Sequence, residues 1–525
     1  MLAPRFLFLL LGASGWAASG PTVWVAGSLV RVGQTERAVP NTESRLSAGR
    51  NEYESFQIVI QAPAAGGLTN VAVTVSDLLT RDGSRITSDH ATLYREHYVR
   101  VGSASPDWQK SNRPLGPGLY PDALIPFIDP ITGKRPRAGQ FQSSPFDVPA
   151  GTNQPVWVDV FVPRESQPGA YAGTYNVTSD QGAVRGHISL QVWNFTLPVK
   201  PSLHSAFMIW QPDELPIART LLQNKISPFS KSPEVARKLK GEGLSILGLP
   251  FWSGADVSHC AMQPAPSLAV VRAAIARVPP GLDLVDYTAD EVGNCPNLYA
   301  GLREWGSVLH KAGVQNLVTI PPTPELLDDG LGKGRSAVDI WAVLAEGYVA
   351  KLGAIKKAMA KGDSVWSYTT LVQDPYSPKW EIDFSPINFR IQPGFLSQTL
   401  GLTGILYWRV DLWTADPWAT ADTTGRFNSN NYPGEGMLVY PGAPAGVHGV
   451  VPSMRLKWIR DGVEDYEYVA LLKQLGYGAW GQQIAAQAGT DWSHWTQDPA
   501  VLESAREQLG RKLDSLAAAQ QSSRP

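Results

Sequence analysis

The sequence predicts a multidomain fold, with an N-terminal antiparallel β-sandwich followed by a (β/α)8 barrel and C-terminal helices. The length of 525 residues exceeds what one hydrophobic core usually organises. Short β-branched runs with a period of two fill residues 21–200. From residue 204 onward, apolar strand-like runs alternate with helical segments, which is the pattern of a parallel sheet.

The sandwich prediction rests on runs such as FQIVIQA, VAVTVSDL and VWVDVFVP, which glycine, proline, asparagine and aspartate separate. Strands that recur at this spacing are typical of antiparallel sandwiches. We therefore assign a β-sandwich domain to 20–200. The proline-flanked stretch LPVKPSL, from Leu197 to Leu203, is the predicted linker to the next domain.

The barrel prediction rests on seven strand-like runs with helical segments between them, which leaves one strand of an eight-stranded barrel unplaced. A doubly wound open sheet would require a glycine-rich phosphate turn after its first strand, and the sequence has none there. We assign the barrel to 201–475. The seven runs are HSAFMIW, LSILGLPFW, LDLVDYTA, NLVTIPP, VDIWAVL, VWSYTTLV and GILYWRV.

The C-terminal region predicts two helical segments. PSMRLKWIRDGVEDYEYVALLKQLG should form a helix with Ser453 as its N-cap. Its charged residues Arg460, Glu464 and Glu467 have i+3 or i+4 spacing, which favours a structural role over a catalytic one. The tail at 476–525 contains AVLESAREQLGRKLDSLAAA, which predicts a helix packed on the barrel exterior.

The N-terminal stretch MLAPRFLFLLLGASGWAASG predicts a signal peptide at 1–19. One arginine precedes the apolar block Phe6 to Leu11, and small residues follow it. This block is shorter than the roughly 20 apolar residues of a membrane span. We expect a secreted or periplasmic protein with no membrane span after signal removal. The net charge of −2 gives no electrostatic basis for binding nucleic acid.

The chain has two cysteines, Cys260 and Cys295. In an exported protein, a disulfide between them is the favoured interpretation. Two separate buried thiols are an alternative. A zinc site that also uses His259 is a third interpretation, but it lacks a clear fourth ligand. We expect no metal and no cofactor.

Two adjacent carboxylates, Asp290 and Glu291, end the predicted strand LDLVDYTA. Barrel enzymes carry their chemistry at the C-terminal ends of strands. Strand alternation predicts two faces: Asp286, Thr288 and Asp290 toward the barrel interior, and Val285, Tyr287 and Ala289 toward the helices.

Two carboxylates at a sugar site can divide the work of acetal hydrolysis. One protonates the leaving oxygen and the other stays charged to stabilise the cationic transition state. Alternatively, one of two neighbours can hold the substrate's own 2-acetamido group as the nucleophile. The competing structural interpretation is a helix start, with Asp290 as cap and Glu291 in the first turn.

Many of the 18 tryptophans must be ordinary core residues, but aromatic rings at strand ends can stack on sugar faces. We predict that at least three aromatic residues line the cleft that holds Asp290. The predicted substrate-binding residues are Tyr287, Trp210, Trp252, Trp366, Tyr368, Trp408, Asp411 and Trp413.

Several stretches resemble the proteins grouped as domain of unknown function 4091, which are similar to glycoside hydrolase family 123. The resemblance extends over most of residues 21–475, and the last of these stretches is the most specific. They are SAGRNEYESFQIVI, YPDALIP, VWVDVFVP, QPGAYAGTYNV, VWNFTLP, VDYTADE, VDIWAVL, GDSVWSYTTL, GILYWRVDLW, DPW, GEGMLVYPG and VPSMRLKWIRDGVEDYEYVALL.

The resemblance implies an exo-acting N-acetyl-β-galactosaminidase that uses substrate assistance and needs no cofactor. It implies that Asp290 orients and polarises the acetamido group. It implies that Glu291 is the general acid and then the base for water. Where the family often has asparagine after its YW pair, this strand reads YWRVDLW with Asp411, and the usual GDG is GEG at Gly434 to Gly436. These departures touch the predicted sugar-binding surface.

The sequence therefore predicts a secreted glycoside hydrolase that cleaves a terminal 2-acetamido sugar from a glycan or glycoconjugate. A glycosidase of different sugar specificity, with Glu291 as acid and another barrel acid as its partner, is one alternative. A non-catalytic carbohydrate-binding surface protein of the same fold is another. The orientation of Asp290 and Glu291 separates them, because the enzyme interpretations require both side chains in one aromatic-lined pocket.

Overall fold

The computed structural model describes residues 20–522, so the predicted signal peptide at 1–19 lies outside the described residues. Twelve strands form the N-terminal region of the described chain, where the period-two runs predict a β-sandwich. They are β1 Thr22–Gly27, β2 Glu43–Arg50, β3 Glu52–Gln61, β4 Leu68–Val75, β5 Leu78–Leu79, β6 Arg85–Ile86, β7 Ala91–Val101, β8 Gly118–Pro126, β9 Phe146–Val148, β10 Asn153–Val162, β11 Gly169–Ser179 and β12 Gly182–Thr196.

These strands form two sheets that share one apolar core. One sheet has the order β1-β3-β10-β7-β8, and the other has the order β2-β12-β11-β4-β9, with β5 and β6 attached at β11. Ile58 and Val158 of the first sheet are buried in the same cluster as Tyr175 and Ile188 of the second. Pairing is antiparallel except between β2 and β12, which run parallel. The sandwich prediction is therefore confirmed, with one parallel pair that it did not anticipate.

The second region contains a parallel sheet of seven strands in the order β13-β19-β18-β17-β16-β15-β14, which curls into a nearly closed barrel. Each of the seven predicted runs overlaps one of these strands, within one residue at the ends where the strand extends beyond the run. They are β13 His204–Phe207, β14 Ile246–Gly248, β15 Asp283–Asp290, β16 Gln315–Thr319, β17 Ile340–Val343, β18 Ser364–Tyr368 and β19 Gly404–Tyr407. The (β/α)8 prediction is confirmed in part, because seven strands are present rather than eight.

The remaining gap lies between β13 and β14, and an irregular segment occupies it. The Phe207 amide donates to the Ser227 carbonyl at 3.2 Å, and the Phe229 amide donates to the Phe207 carbonyl at 2.8 Å. On the other side, the Gly248 amide donates to the Ser230 carbonyl at 2.8 Å. Pro228 has no N–H to donate to β13 or β14, so the segment cannot form a regular ladder of hydrogen bonds with them. Because proline is also unfavourable within strands, the sequence does not predict a strand there.

Helices connect the barrel strands and follow them. They are α1 Glu214–Gln223, α2 Pro233–Leu239, α3 Leu268–Ile275, α4 Tyr299–Ala312, α5 Ala345–Ala350, α6 Leu352–Ala360, α7 Ile387–Ile391, α8 Ser397–Leu400, α9 Met454–Gln474, α10 Gly478–Ala488 and α11 Pro499–Ser522. Two short hairpins join them: β20 Val439–Pro441 with β21 Val450–Pro452, and β22 Gly489–Asp491 with β23 His494–Trp495. Within residues 20–522, no helix combines the length and apolarity needed to cross a membrane.

Helix α9 joins the sandwich to the barrel. Its predicted N-cap is confirmed, since the Ser453 hydroxyl accepts the Leu456 amide at 3.2 Å. The predicted structural role of its charged residues agrees with their contacts, although their main partners are not on the helix itself. Arg460 is fully buried and donates to Asp159 of β10 at 2.9 Å, whereas its distance to Glu464 is 3.9 Å. The helix therefore fixes one region against the other through buried charge pairs.

The predicted tail helix is present as α11, but its packing differs from the prediction. It lies against the sandwich strand β12 and against α9 and α10 rather than on the barrel exterior. A Cβ atom on Gly510 would come within 2.3 Å of the Trp193 ring of β12, so glycine permits this close approach. Asp514 also accepts the Asn194 amide at 2.7 Å.

Candidate active site

A cleft of about 510 Å³ opens at the C-terminal ends of the barrel strands, and both Asp290 and Glu291 line it. A volume of this size is typical of small-molecule sites. Six of its lining residues are aromatic, three more are aliphatic or methionine, and the other five are polar or charged. The full lining is Met208, Trp210, Trp252, Tyr287, Asp290, Glu291, Thr319, Tyr368, Thr370, Leu371, Gln373, Leu406, Trp408 and Phe427.

Asp290 points into the barrel mouth because β15 contains a β-bulge. Tyr287 pairs with Leu317 of β16 and Ala289 pairs with Val318, so Thr288 is an extra residue between them. The bulge exchanges the two faces of the strand at this point. Asp290, opposite Thr319, therefore faces inward as predicted. Without the bulge, alternation from the inward-facing Tyr287 would have turned Asp290 outward.

The predicted faces of the residues before the bulge are wrong for the same reason. Val285 and Tyr287 belong to the apolar cluster of the barrel interior, whereas Ala289 packs with the helical layer. Asp286 is fully buried on the outer side, where it accepts the Thr288 hydroxyl at 3.3 Å. A single extra residue therefore separates residues whose predicted side is wrong from Ala289 and Asp290, which lie on their predicted sides.

Burial raises the pKa of Asp286 to about 7, while the nearby ammonium of Lys231 acts in the opposite direction. The native state keeps the Asp286 proton up to about pH 7, whereas the unfolded chain releases it near the ordinary value of 3.8. We expect this group to reduce stability as the pH rises through that window. As the pH rises from about 4 to about 7, the melting temperature of Asp286→Asn should fall less than that of the native protein. Asp283→Asn, at an exposed position of the same strand, is the control, and an unchanged slope in Asp286→Asn would contradict the expectation.

Two hydroxyl groups hold one oxygen of Asp290. The Tyr287 hydroxyl donates to Oδ1 at 2.7 Å, and the Thr319 hydroxyl donates to the same atom. Within residues 20–522, no hydrogen bond reaches Oδ2, so this oxygen is free to accept from a molecule in the cleft. The sequence prediction did not include Thr319, although its place at the end of the neighbouring strand β16 could have indicated it, because ends of adjacent parallel strands meet.

Glu291 lies just beyond the strand in a left-handed backbone conformation, with φ of 49° and ψ of 31°. Few residues other than glycine adopt this region, and such strain concentrates at functional sites. The conformation is held by the Glu291 amide, which donates to the Thr319 hydroxyl at 2.9 Å and to the Thr319 carbonyl at 3.2 Å. The backbone thereby turns the Glu291 side chain to the rim of the cleft, beside Asp290.

The Tyr368 hydroxyl, at the end of β18, donates to Glu291 Oε1 at 2.7 Å. Burial raises the pKa of Tyr287 and of Tyr368 well above their ordinary values, and the neighbouring carboxylates raise both further. Both phenols therefore stay protonated and act as donors. Neither Asp290 nor Glu291 forms an ion pair with a described residue, and the turn that follows the strand has no side-chain cap, so the helix-start interpretation does not account for them.

Five of the predicted substrate-binding residues line the cleft: Trp210, Trp252, Tyr287, Tyr368 and Trp408. Trp210 and Trp252 are 60% and 44% exposed, so part of each ring is available to a ligand, while the Arg409 guanidinium covers one face of Trp210. The prediction that at least three aromatic residues share the cleft of Asp290 is confirmed. The sequence prediction did not include the remaining lining residues, because none of them is a carboxylate or a tryptophan at a predicted strand end.

Three predicted residues lie elsewhere. Trp366 is buried inside the barrel and stacks on His204 at the opposite end of the strands. The Trp413 indole donates to the Val439 carbonyl and packs between apolar clusters. Asp411 is fully buried and accepts the Trp210 amide at 2.9 Å, so it supports the tryptophan rather than lining the cleft.

A third carboxylate, Glu435 of the GEG stretch, lies buried beneath the cleft. It accepts the Trp408 indole, the Thr370 hydroxyl at 3.2 Å and the Leu371 amide at 3.1 Å. Leu371 has a φ of 55°, and the hydrogen bond from its backbone amide to Glu435 helps to hold this conformation. This departure from the family pattern therefore lies below the surface of the cleft, where Glu435 fixes three lining residues.

A second compartment of about 310 Å³ adjoins the cleft, and Glu291, Thr319, Tyr368 and Gln373 line both. Tyr368 is the one aromatic residue among its described lining residues, and the polar side chains of Asn294 and Glu346 face it. Glu291 therefore lies at the boundary between an aromatic compartment and a more polar one.

Cys260 and Cys295 form a disulfide with an S–S distance of 2.08 Å, as favoured from the sequence. It joins the loop that follows β14 and carries Trp252 to the loop that carries Glu291. The Trp252 ring lies edge-on to Tyr287 with ring centroids 5.8 Å apart. Among residues 20–522, no group of three histidine, cysteine, aspartate or glutamate side chains is arranged to hold a metal ion.

Two family models match the chain. The glycoside hydrolase 123 N-terminal domain matches residues 31–179, and the glycoside hydrolase 123 catalytic domain matches residues 329–472. Together they account for more than half of the sequence. The acid pair lies between the two matched segments, so these matches do not themselves test its role. The comparison with curated proteins finds no match.

Among solved structures, a family 123 glycoside hydrolase from Clostridium perfringens, described in work on glycolipid glycan hydrolysis, has a TM-score of 0.66 at 12% identity. The alignment covers 96% of this chain and 100% of that one, which shows a common fold over nearly the whole length. A β-glucuronidase from Parabacteroides merdae has a TM-score of 0.28 at 9% identity, over 79% of this chain and 53% of that one. The latter similarity is too low to support an argument.

Proposed function

Because the chain belongs to glycoside hydrolase family 123 and is a glycoside hydrolase, we propose that it removes a terminal β-linked 2-acetamido sugar by substrate-assisted, retaining hydrolysis. The observation that carries the proposal is the placement of two adjacent acids, Asp290 and Glu291, in one aromatic cleft. They are the only carboxylates among the described residues that line this cleft. Adjacent residues of one chain are poorly placed to act as acid and as separate carboxylate nucleophile on opposite sides of one sugar, which favours the acetamido group of the substrate as nucleophile.

In the first step, Asp290 accepts the acetamido N–H on Oδ2 and so directs the acetamido oxygen toward the anomeric carbon. A bond forms between that oxygen and the carbon while the bond to the leaving oxygen breaks. Protonated Glu291 gives its proton to the leaving oxygen. The positive charge that spreads over the cyclised acetamido group lies beside the Asp290 carboxylate, which stabilises it.

In the second step, Glu291 takes a proton from water, and the water oxygen attacks the anomeric carbon. The bond to the acetamido oxygen breaks, which restores that group and leaves the sugar with its original configuration. Tyr287 and Thr319 keep Asp290 oriented throughout, and Tyr368 does the same for Glu291. The polar second compartment receives the leaving group, because Glu291 lies at its border with the aromatic cleft.

We also propose that the enzyme acts at chain ends and is exported, with N-acetyl-β-galactosaminides as the first substrate class to examine. A panel of aryl β-N-acetylgalactosaminide, β-N-acetylglucosaminide and β-galactoside tests the sugar. Turnover of an acetamido sugar and none of the β-galactoside is the expected result. Equal turnover of the β-galactoside would instead support the alternative glycosidase, which has no use for an acetamido group.

A further inference from the structure

A loop of the sandwich domain, residues 102–117 between β7 and β8, reaches across to the barrel beside the cleft. Ser105 donates to Asp383 from its amide at 2.8 Å and from its hydroxyl at 2.7 Å. Asn112 donates to the Ser377 carbonyl at 2.8 Å, and the Leu115 amide donates to the Asp383 carbonyl at 2.6 Å. These bonds fix the loop against the barrel segment that follows β18.

Trp108 lies in this loop and is 51% exposed. Its indole N–H donates to the Val372 carbonyl at 3.4 Å. Val372 stands between Leu371 and Gln373, which both line the catalytic cleft. The sandwich domain therefore places an aromatic ring at the rim of a site that is otherwise built by the barrel.

The turn that presents Trp108 is held by its own side chains. Arg113 forms an ion pair with Asp107 at 2.5 Å, and the Gln109 amide donates to Asp107 at 2.7 Å. The ring is thus anchored at its nitrogen and at its backbone, while about half of its surface remains exposed to solvent. Tryptophan is enriched at binding interfaces, because it combines a large apolar ring with a polar N–H.

We propose that Trp108 is a stacking platform for a sugar residue beyond the terminal one, so that the enzyme favours oligosaccharide chains over short glycosides. The inference rests on the proposed function, since it assumes a saccharide in the cleft. An oligosaccharide longer than the cleft can hold must extend across the rim of the cleft. Gln373 marks this exit, because it lines both the cleft and the second compartment. Val372, which accepts the Trp108 indole, is its direct neighbour in sequence.

The test compares Trp108→Ala with the native enzyme on substrates that share one terminal 2-acetamido sugar. These are an aryl glycoside, a disaccharide and a tetrasaccharide. We expect kcat/KM for the tetrasaccharide to fall about 5- to 30-fold, as for a lost aromatic contact, with the aryl glycoside changed less than about twofold. Leu115→Ala is the matched control, because Leu115 is 61% exposed in the same loop and is not among the residues that line the cleft. An equal effect on all chain lengths, or none on the tetrasaccharide, would overturn the proposal.

A binding measurement separates this proposal from the proposed function. The tetrasaccharide is titrated by calorimetry into Glu291→Gln protein with and without Trp108→Ala. Weaker binding of the tetrasaccharide by the double variant supports the Trp108 platform, whatever the hydrolysis assays show. If the native enzyme hydrolyses none of the aryl 2-acetamido glycosides, that result defeats the proposed function but not the platform. Identical affinity in the two proteins, or no saccharide binding by either, would overturn the platform and favour a protein partner for this surface.

Discussion

Glu291→Gln should lower kcat on a natural glycoside by about 10²- to 10⁴-fold, the usual cost of a lost general acid. Glutamine keeps the size of the side chain and can accept the Tyr368 hydroxyl, but it has no acidic proton for the leaving oxygen. The loss should be smaller with an aryl glycoside whose phenolate leaves readily, because that group needs less protonation. The measurement is kcat and kcat/KM on a matched disaccharide and nitrophenyl glycoside.

Glu304→Gln is the control for this experiment, since Glu304 is an exposed acid of α4 away from the cleft. It should leave both substrates within about twofold of the native rate. The assignment of Glu291 would fail if the glutamine variant retained near-native turnover of the disaccharide. It would also fail if the loss were the same for good and poor leaving groups.

Asp290→Asn should lower kcat by about 10²- to 10³-fold on every 2-acetamido substrate, whatever its leaving group. The asparagine still accepts hydrogen bonds, but it carries no negative charge to stabilise the cyclised acetamido group. Since Asp290 acts on the nucleophile and not on the leaving oxygen, the dependence of rate on leaving-group acidity should stay that of the native enzyme. Rates for a series of aryl glycosides of graded leaving-group acidity measure this dependence.

Asp286→Asn offers a close control, because Asp286 belongs to the same strand and its side chain faces the helical layer. Its activity should remain within about twofold of native. Near-native activity of Asp290→Asn would exclude the proposed role of Asp290. Native-like hydrolysis of a sugar without the acetamido group would exclude substrate assistance.

Much of the fold could be predicted because the spacing of apolar residues along a short segment indicates whether that segment forms a helix or a strand. The seven barrel runs and the Ser453 cap follow from period and capping chemistry, which act over a few residues. The segment around Pro228 gave no such signal, since its pairing depends on strands that are distant in sequence. The packing of α11 on β12 was also missed, because helix periodicity indicates that a face is buried but not against what.

The sequence by itself determined the two-region architecture, the pairing of its only two cysteines as the favoured interpretation, and the acid pair at the end of a barrel strand. Only the tertiary structure decided which way Asp290 points, because one extra residue at Thr288 inverts the face of β15 and leaves no mark in local composition. It also decided that Thr319 and Tyr368 hold the two acids, while Trp366 and Trp413 do not reach the cleft. Strand ends that lie far apart in the chain become neighbours only when the sheet curls, and the contacts that orient a catalytic carboxylate arise from that closure.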